Sequence, residues 1–179
     1  MERYGGGAIE VRDYDPNWPV LFEEERIRLQ PVIGPTPKIE HMGSTSVPGL
    51  AAKPIIDILV GVPSLSQARC TLLKPLVQLG YSYIPEYEAW LPGELFLRKG
   101  IPGPWTHHLH VMEQSNPRWR DFLLFRDYLR LYPEIASAYG HLKKSLAAEF
   151  GENIEGFRNA KHRFVREVTD KALSASVRQ

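Results

Sequence analysis

The sequence predicts an α+β domain whose last third is helical, and three observations lead to this class. An almost wholly apolar, β-branched segment, Pro54–Val60, is typical of a central strand covered on both faces. Short strand patterns alternate with helical patterns up to about residue 114, and from Asn116 onward the pattern is helical throughout. With 179 residues we expect a single domain spanning 1–179, with an αβ core over about 10–114 and C-terminal helices over about 116–175.

Local signals place the individual elements. Asp15 and Pro16 predict the start of a first helix, because aspartate accepts an unpaired N–H and proline fits the first turn. This helix should end near Leu29, before a loop bounded by prolines 31, 35 and 37. The strand candidates are Lys38–Met42, Pro54–Val60, Tyr81–Ile84, Glu94–Lys99 and His107–Met112, and the further helices are Ser66–Leu79, Arg118–Leu131, Pro133 to about Gly151, and Glu152–Ala172.

Composition limits the classes of function. The chain has 22 basic and 21 acidic residues, which argues against an extended nucleic-acid-binding surface. Cys70 is the single cysteine, so an internal disulfide and a CxxC-type zinc site are excluded. No basic-then-apolar leader opens the sequence, and the longest apolar run, Ile55–Val60, is too short to span a bilayer. We therefore expect a cytoplasmic protein without membrane association, and the sequence predicts no oligomeric state.

A hydroxyl-rich turn, Gly43-Ser44-Thr45-Ser46, follows the first strand candidate. Phosphate groups need unobstructed backbone N–H donors and hydroxyls at a turn, and glycine permits their close approach. We interpret all four residues as candidates for binding a phosphate or nucleotide. The alternative is a tight turn in which Ser44 or Ser46 caps the following residues.

Asp57 is the only charged residue in the apolar strand candidate Pro54–Val60. An ionised carboxylate there is costly unless it binds a metal or meets strong donors, so Asp57 is the candidate catalytic residue and metal ligand. A strand-end aspartate bonded to the backbone is the alternative. The segment Gly43–Lys53 is not a Walker loop, because Lys53 comes four residues after Gly49.

The stretch Ile39–Ile58, IEHMGSTSVPGLAAKPIIDI, resembles the signature of the GrpB-like (UPF0157) proteins. Tyr14–Trp18, His108–Val111 and Phe125–Arg130 match the same pattern, so the resemblance spans nearly the whole chain. It implies a nucleotidyltransferase-like fold of the polymerase-β type, with a mixed sheet, flanking helices and a helical C-terminal third. Related domains fused to dephospho-CoA kinase point toward nucleotide or coenzyme metabolism.

The resemblance also implies where metal ligands should stand. The nucleotidyltransferase superfamily pattern is a hydrophobic residue, Gly, Ser, a spacer, and then Asp-hydrophobic-Asp/Glu. Met42-Gly43-Ser44 and Asp57-Ile58 fit this pattern, but Leu59 occupies the position of the second carboxylate. Because two-metal transfer shares several carboxylates between the ions, Asp57 alone does not complete such a site.

His108 and His110 share one face of their strand candidate, and His107 should point to the other. Two imidazoles on one face suit zinc, manganese or iron and are poor magnesium ligands. If this strand neighbours the Asp57 strand, His110 lies near Asp57 and replaces the missing carboxylate as a metal ligand. The alternative is that the histidines, including His41 beside the turn, are hydrogen-bonded strand residues.

Basic residues are the remaining phosphate candidates. Arg126 and Arg130 are one helical turn apart and share a face that suits bidentate binding of a triphosphate or carboxylate. A solvated helix flank is the alternative. Lys53 and Lys161 are single basic residues at positions that fit the family pattern or lie near the strands, and we include them, with Arg126, among the expected phosphate or nucleotide ligands.

Three functions remain open. The first is a metal-dependent nucleotidyltransferase-like protein that binds a nucleotide or phosphorylated small molecule, with Mg²⁺ or Mn²⁺ as the expected ion and Zn²⁺ as a further option. The second is a non-catalytic nucleotide-binding or accessory module that has lost transfer chemistry, which Leu59 favours. The third is a transition-metal-dependent hydrolase built on Asp57, His108 and His110.

Overall fold

The computed structural model describes residues 8–35, 37–100 and 104–176, so both ends of the predicted domain lie outside the described residues. No helix in these ranges has the length and apolar character needed to cross a membrane. The helices are α1 (Trp18–Ile33), α2 (Leu65–Gln78), α3 (Pro117–Leu131), α4 (Pro133–Phe150) and α5 (Ile154–Ser176); the strands are β1 (Lys38–Met42), β2 (Ile56–Val62), β3 (Tyr81–Tyr83), β4 (Glu94–Lys99) and β5 (His107–Glu113); short 3₁₀ turns cover Ser44–Ser46 and Pro85–Ala89.

The strands form one mixed sheet in the order β1-β2-β5-β4-β3. β2 and β5 run parallel, whereas the other neighbouring pairs are antiparallel. In this register Asp57 on β2 lies between Met42 on β1 and His108 on β5, and Leu59 lies beside His110. Because side chains alternate between faces along a strand, Asp57, His108 and His110 project from the same face of the sheet.

The opposite face of the sheet carries the largest apolar core, which α1 and α2 cover. Alternate residues of β2, together with residues of β4 and β5, pack there against Trp18, Leu29 and Leu72. Glu25 on α1 is also buried on this side, where it accepts hydrogen bonds from Lys99 and from the hydroxyl of Tyr81. The apolar β2 sequence is thus covered on both faces, since Leu59 packs on the other side with residues of α3.

Helix α3 covers only one end of the face that carries Asp57. Trp119 and Phe122 of α3 pack on Leu59 and Met112, whereas Asp57, nearer the start of β2, remains partly accessible. The segment after the turn is held by the C-terminal helices through a second apolar cluster, comprising Val47, Leu50, Leu129, Ala136, Tyr139 and Val168. We call the partly covered space beside Asp57, between this face of the sheet and the helical third of the chain, the cleft.

The predicted elements are present, with differences at their ends. The bounds of β1 and β4 are those predicted, and His107 shares its side of the sheet with the α1 core, as expected. Asp15 accepts the N–H of Asn17 at 2.8 Å, but α1 begins at Trp18 after an N-cap at Asn17, so Pro19 and not Pro16 lies in its first turn. However, α1 continues past Pro31 to Ile33, so the prediction of a loop from Pro31 was wrong. Pro31 is exposed there, and water can satisfy the carbonyl that its ring leaves unbonded.

Candidate metal and phosphate site

The turn after β1 lies directly against the aspartate of β2. Gly43 has a φ of +70°, a conformation that favours glycine. A Cβ atom at this position would overlap Asp57 Oδ2 and would lie only 3.0 Å from Asp57 Cβ and Cγ. Glycine is required here for both its backbone angle and its lack of a side chain. The hydroxyl-rich turn and the acid therefore share one site.

The three hydroxyls of the turn have different surroundings. Thr45 Oγ1 donates to the carbonyl of Ile55 at 3.2 Å and lies 3.1 Å from His41 Nε2, and both Thr45 and His41 are buried. Ser46 Oγ donates to the carbonyl of Gly43 at 2.6 Å. Within the described ranges, the hydroxyl of Ser44 has no protein partner. Thr45 and Ser46 thus stabilise the turn itself, and Ser44 is the hydroxyl best placed to contact a ligand.

Asp57, His108 and His110 form a cluster on the accessible face of the sheet. One potential ligand atom from each residue lies within 4.8 Å of the others. Their side chains retain 28%, 19% and 13% of their surfaces exposed, so the cluster lines the cleft and is not sealed in the core. Parallel pairing of β2 with β5 produces this arrangement, since it sets His108 directly beside Asp57.

A buried carboxylate fixes the ring of His110. His110 Nδ1 hydrogen-bonds to Glu94 Oε1, and the side chain of Glu94 is completely buried. Arg118 Nη1 lies 2.8 Å from the second oxygen of Glu94 and balances its charge. When Nδ1 donates to a carboxylate, the lone pair of Nε2 is free to bind a metal. His108 Nδ1 lies 3.1 Å from Asp57 Oδ1.

The protonation states of Asp57 and His108 suit metal binding. Burial acts to raise the pKa of Asp57, but the hydrogen bond from His108 and the neighbouring imidazoles outweigh it, and the pKa lies below its ordinary value. Burial lowers the pKa of His108, although Asp57 partly opposes this effect. At neutral pH the carboxylate is therefore ionised and the imidazole neutral, as metal ligands must be.

Three lysines lie within electrostatic range of Asp57. Lys143 on α4 is 3% exposed, its Nζ has no hydrogen-bond partner among the described residues, and Nζ lies 4.5 Å from the ring centroid of Tyr139. Burial lowers the pKa of Lys143 to about 7 and that of Lys161 to about 8, and attraction to Asp57 opposes both shifts. Burial also lowers the pKa of Lys53, again against attraction to Asp57. Lys53, Lys143 and Lys161 thus surround Asp57 with positive charge, and we call this group the basic wall, although Nζ of Lys143 lies below the accessible surface.

Arg126 and Arg130 share a helix face, as predicted, and that face contacts the turn region. Arg126 Nη1 donates to Glu40 Oε2 at 2.8 Å and to the carbonyl of His41 at 3.0 Å. Arg130 donates to the carbonyl of Ser46 through Nε at 3.0 Å and through Nη2 at 2.8 Å. These bonds brace the backbone on both sides of Gly43. Direct phosphate binding by Arg126 stays a prediction.

Sequence reasoning missed Glu94 and Lys143. Lys143 stands within the buried stripe of α4, together with Ala136, Tyr139, Gly140 and Leu146. A lysine at helical spacing among apolar residues is the signal that identifies it, since lysine is rarely fully buried without a partner. Glu94 gives a weaker signal, because its role depends on the pairing of β4 with β5.

Comparison with known proteins identifies the family signature over most of the chain. The family described as "GrpB protein" matches residues 8–171. The UPF0157 protein YqkA of Bacillus subtilis is 39% identical over 170 residues, which cover 94% of this chain and 48% of YqkA. This chain thus spans about half the length of YqkA. The glutamate-rich protein GrpB of Alkalihalophilus pseudofirmus is 34% identical, with 92% of this chain and 96% of that protein covered.

Solved structures show the same fold. The conserved protein GrpB from Enterococcus faecalis is 40% identical, with a TM-score of 0.85 over 93% of this chain and 99% of that chain. The Cid1 poly(U) polymerase, solved with MgGTP bound, has a TM-score of 0.52 at 16% identity, over 77% of this chain and 44% of that chain. The second likeness concerns the fold alone. The predicted nucleotidyltransferase-like α+β architecture is confirmed.

Proposed function

The chain belongs to the GrpB family, and from that premise we propose that it is a metal-dependent, nucleotidyltransferase-like protein that binds a nucleotide or another phosphorylated small molecule. One observation carries the proposal: Gly43 packs directly against Asp57, with no room for a side chain between them. A phosphate held by the turn would therefore lie beside the carboxylate that can hold a cation. A turn with a purely structural task needs no such contact with an accessible acid.

The basic wall supports an anionic ligand. Burying an ammonium group without a hydrogen-bond partner is unfavourable, and Lys143, whose Nζ faces only the ring of Tyr139 among the described residues, is such a group. A phosphate in the cleft would accept hydrogen bonds from Lys53 and Lys161, and its charge would stabilise the buried ammonium group of Lys143. Charge-assisted hydrogen bonds of this kind are stronger than neutral ones. In the proposed complex, Gly43 and Ser44 contact one phosphate and the three lysines neutralise the remaining charge.

The residues present do not fit a pair of magnesium ions. Leu59, at the position of the expected second carboxylate, is fully buried in an apolar cluster with Met42, Met112 and Trp119. One carboxylate and two imidazoles do fit a single divalent ion, held by Asp57 and His110 with His108 beside them. Such an ion would supply positive charge next to the bound phosphate.

Leu59 also supports a second candidate, a nucleotide-binding module without transfer activity. Leucine has no atom that can bind a metal ion, and the buried side chain of Leu59 leaves no space for water to take the place of the second carboxylate. The two candidates differ in turnover. Incubation with each labelled nucleoside triphosphate and Mn²⁺ should give a labelled product if transfer occurs. Binding without any product would favour the module.

Calorimetric titration with ATP and the other nucleoside triphosphates, with and without Mn²⁺, tests binding directly. We expect at least one to bind only when Mn²⁺ is present. Asp57→Asn should abolish binding, and Lys161→Gln should weaken it about tenfold or more, since it removes a buried charge. Lys171→Gln, an exposed lysine of the same helix, is the matched control and should bind normally. Absence of metal-dependent binding by folded wild-type protein would refute the proposal.

A further inference from the structure

The donor groups beside Asp57 are imidazoles, which favour transition-metal ions over magnesium. We propose that Asp57, His108 and His110 form a site for one divalent transition-metal ion, such as Mn²⁺, Fe²⁺ or Zn²⁺, in which Glu94 positions the imidazole of His110. This inference deepens the proposed function, because it concerns the same cleft. It nevertheless requires no nucleotide, so it can stand or fall independently.

The donor atoms of the three residues are spaced closely enough to share one ion. Ligand atoms that each lie about 2.0–2.2 Å from one ion are separated from each other by about 3–4 Å. In this structure, one atom from each of Asp57, His108 and His110 lies within 4.8 Å of the others. Small rotations of side chains that already line an accessible cleft would bring these atoms to coordination distance.

A buried carboxylate supports the imidazole of His110. Its Nδ1 is bonded to the buried Glu94, and Arg118 pairs with the same carboxylate. Metal-binding histidines usually donate their other ring nitrogen to a carboxylate or carbonyl, which fixes both the tautomer and the ring orientation. Nε2 of His110 has no protein partner within the described part of the chain. The ring is therefore held so that Nε2 can serve as the ligand.

The cluster has too few carboxylates for magnesium. Mg²⁺ prefers an octahedral set of oxygen ligands, and imidazole is a poor substitute. Glu40 is engaged by Arg126, and Glu94 is engaged by His110 and Arg118. Asp57 is thus the single carboxylate in the cluster, where the other two donors are imidazoles.

His108 can join the site by a change of tautomer. In the structure, its Nδ1 lies 3.1 Å from Asp57 Oδ1, and a neutral imidazole donates its proton there. If the proton moves to Nε2, Nδ1 gains a lone pair directed to the same side as the carboxylate. Asp57 and His108 would then hold one ion between them in place of a shared proton.

The test is metal binding by protein purified without a metal-affinity tag and stripped with chelator. Equilibrium dialysis without nucleotide should show one Zn²⁺ or Mn²⁺ per chain, bound at least about 100-fold more tightly than Mg²⁺. His110→Gln should remove most of this affinity, and Glu94→Gln should weaken it about 10–100-fold. His162→Gln, an exposed histidine on α5, is the control and should bind normally. Electron paramagnetic resonance of the bound Mn²⁺ reports the loss of nitrogen ligands in folded variants.

Several outcomes would overturn the inference. These are equal affinity for Mg²⁺ and Mn²⁺, two ions per chain, or unchanged affinity in folded His110→Gln protein. If His110→Gln unfolds, Glu94→Gln replaces it, because that variant keeps all three proposed ligands. Metal binding without any nucleotide binding would refute the proposed function alone. Nucleotide binding that requires Mg²⁺ and excludes transition metals would refute the inference alone.

Discussion

Gly43 and Asp57 are packed so closely that one added carbon atom at residue 43 would overlap the carboxylate of Asp57. Gly43 directly follows β1, and Asp57 lies near the start of β2. The antiparallel pairing of β1 with β2 brings them together, because Met42, the last residue of β1, is the register partner of Asp57. The turn therefore limits where the carboxylate of Asp57 can lie, and that carboxylate excludes a side chain at residue 43. This contact provides the most direct test of the site.

Gly43→Ala should damage both stability and metal binding. The backbone of Gly43, with φ +70° and ψ −172°, lies in a region that costs about 1–3 kcal/mol for a residue with a side chain, and the clash with Asp57 adds about 1–3 kcal/mol. Gly49→Ala is the matched control, because Gly49 also has a positive φ but has open space at its Cβ position. Urea unfolding and Mn²⁺ titration measure the two effects. Equal losses in both variants would show that the contact with Asp57 has no consequence.

Lys143→Met should remove a pH dependence of stability. The pKa of Lys143 is about 7 in the folded chain against an ordinary 10.5, so between these values the unfolded chain binds more protons. The contribution of Lys143 to the free energy of unfolding therefore rises with pH between about 7 and 10.5. Below about pH 7, the full cost of burying the ammonium group is present. Lys143→Met should be more stable than wild type by on the order of 3–5 kcal/mol at pH 6, and the difference should shrink toward pH 10.

The groups that face Lys143 are Lys161, Asp57 and the ring of Tyr139, and Lys161 should contribute a dependence of the same sign. Lys144→Met is the control, since Lys144 is the exposed neighbour on α4. Urea unfolding at pH 6, 8 and 9.5 measures the difference. A constant difference between Lys143→Met and wild type across this range would contradict the assigned burial of the ammonium group.

Glu25→Gln should lower stability without changing metal affinity. Glu25 accepts bonds from Lys99 Nζ at 2.7 and 2.8 Å and from the Tyr81 hydroxyl at 3.0 Å, on the face of the sheet away from the cleft. Removing its charge leaves Lys99 without its counter-ion, which should cost about 2–3 kcal/mol. Glu23→Gln, at an exposed position of the same helix, should have little effect. A parallel loss of Zn²⁺ affinity would show that the two faces are coupled.

Arg130→Ala should loosen the turn. Its guanidinium makes two hydrogen bonds to the carbonyl of Ser46, and charged hydrogen bonds of this kind contribute about 1–2 kcal/mol in total at a partly exposed site. We expect a loss of stability of that size and weaker binding of nucleotide with Mn²⁺, because Ser44 is held less firmly. Arg163→Ala, on the exposed side of α5, controls for the loss of a positive charge. Unchanged nucleotide affinity would restrict Arg130 to a structural role.

Local sequence signals predicted those features that depend on neighbouring residues. The bounds of β1 and β4 follow from the residue pattern of each strand and from the turn residues beside it. The family signature around Gly43 and Asp57 led to the predicted fold. The proximity of His110 to Asp57 was predicted only on the condition that their two strands are neighbours in the sheet. The parallel pairing of β2 with β5 fulfils that condition.

The remaining features depend on contacts between distant segments. Glu94 acts through His110, across the β4–β5 pair, and no local pattern reports which strand lies beside which. Lys143 is buried because α4 packs close to the chain after the turn, where Gly140 approaches Ala51. Pro31 lies inside α1 because the buried Leu29 and Ile33 hold both sides of it in the helix, so packing outweighs its local preference.

The β2–β5 pairing has a kinetic consequence. These strands are neighbours in the sheet, but α2, β3 and β4 all lie between them in the sequence, so their pairing closes a long loop. Contacts of such large sequence separation slow folding, because loop entropy is lost before the pairing compensates for it. An ion bridging Asp57 to His108 would tie together the two segments that must part when the sheet opens. Its main effect would then be a longer lifetime of the native chain, through slower unfolding, with little change in how fast the chain folds.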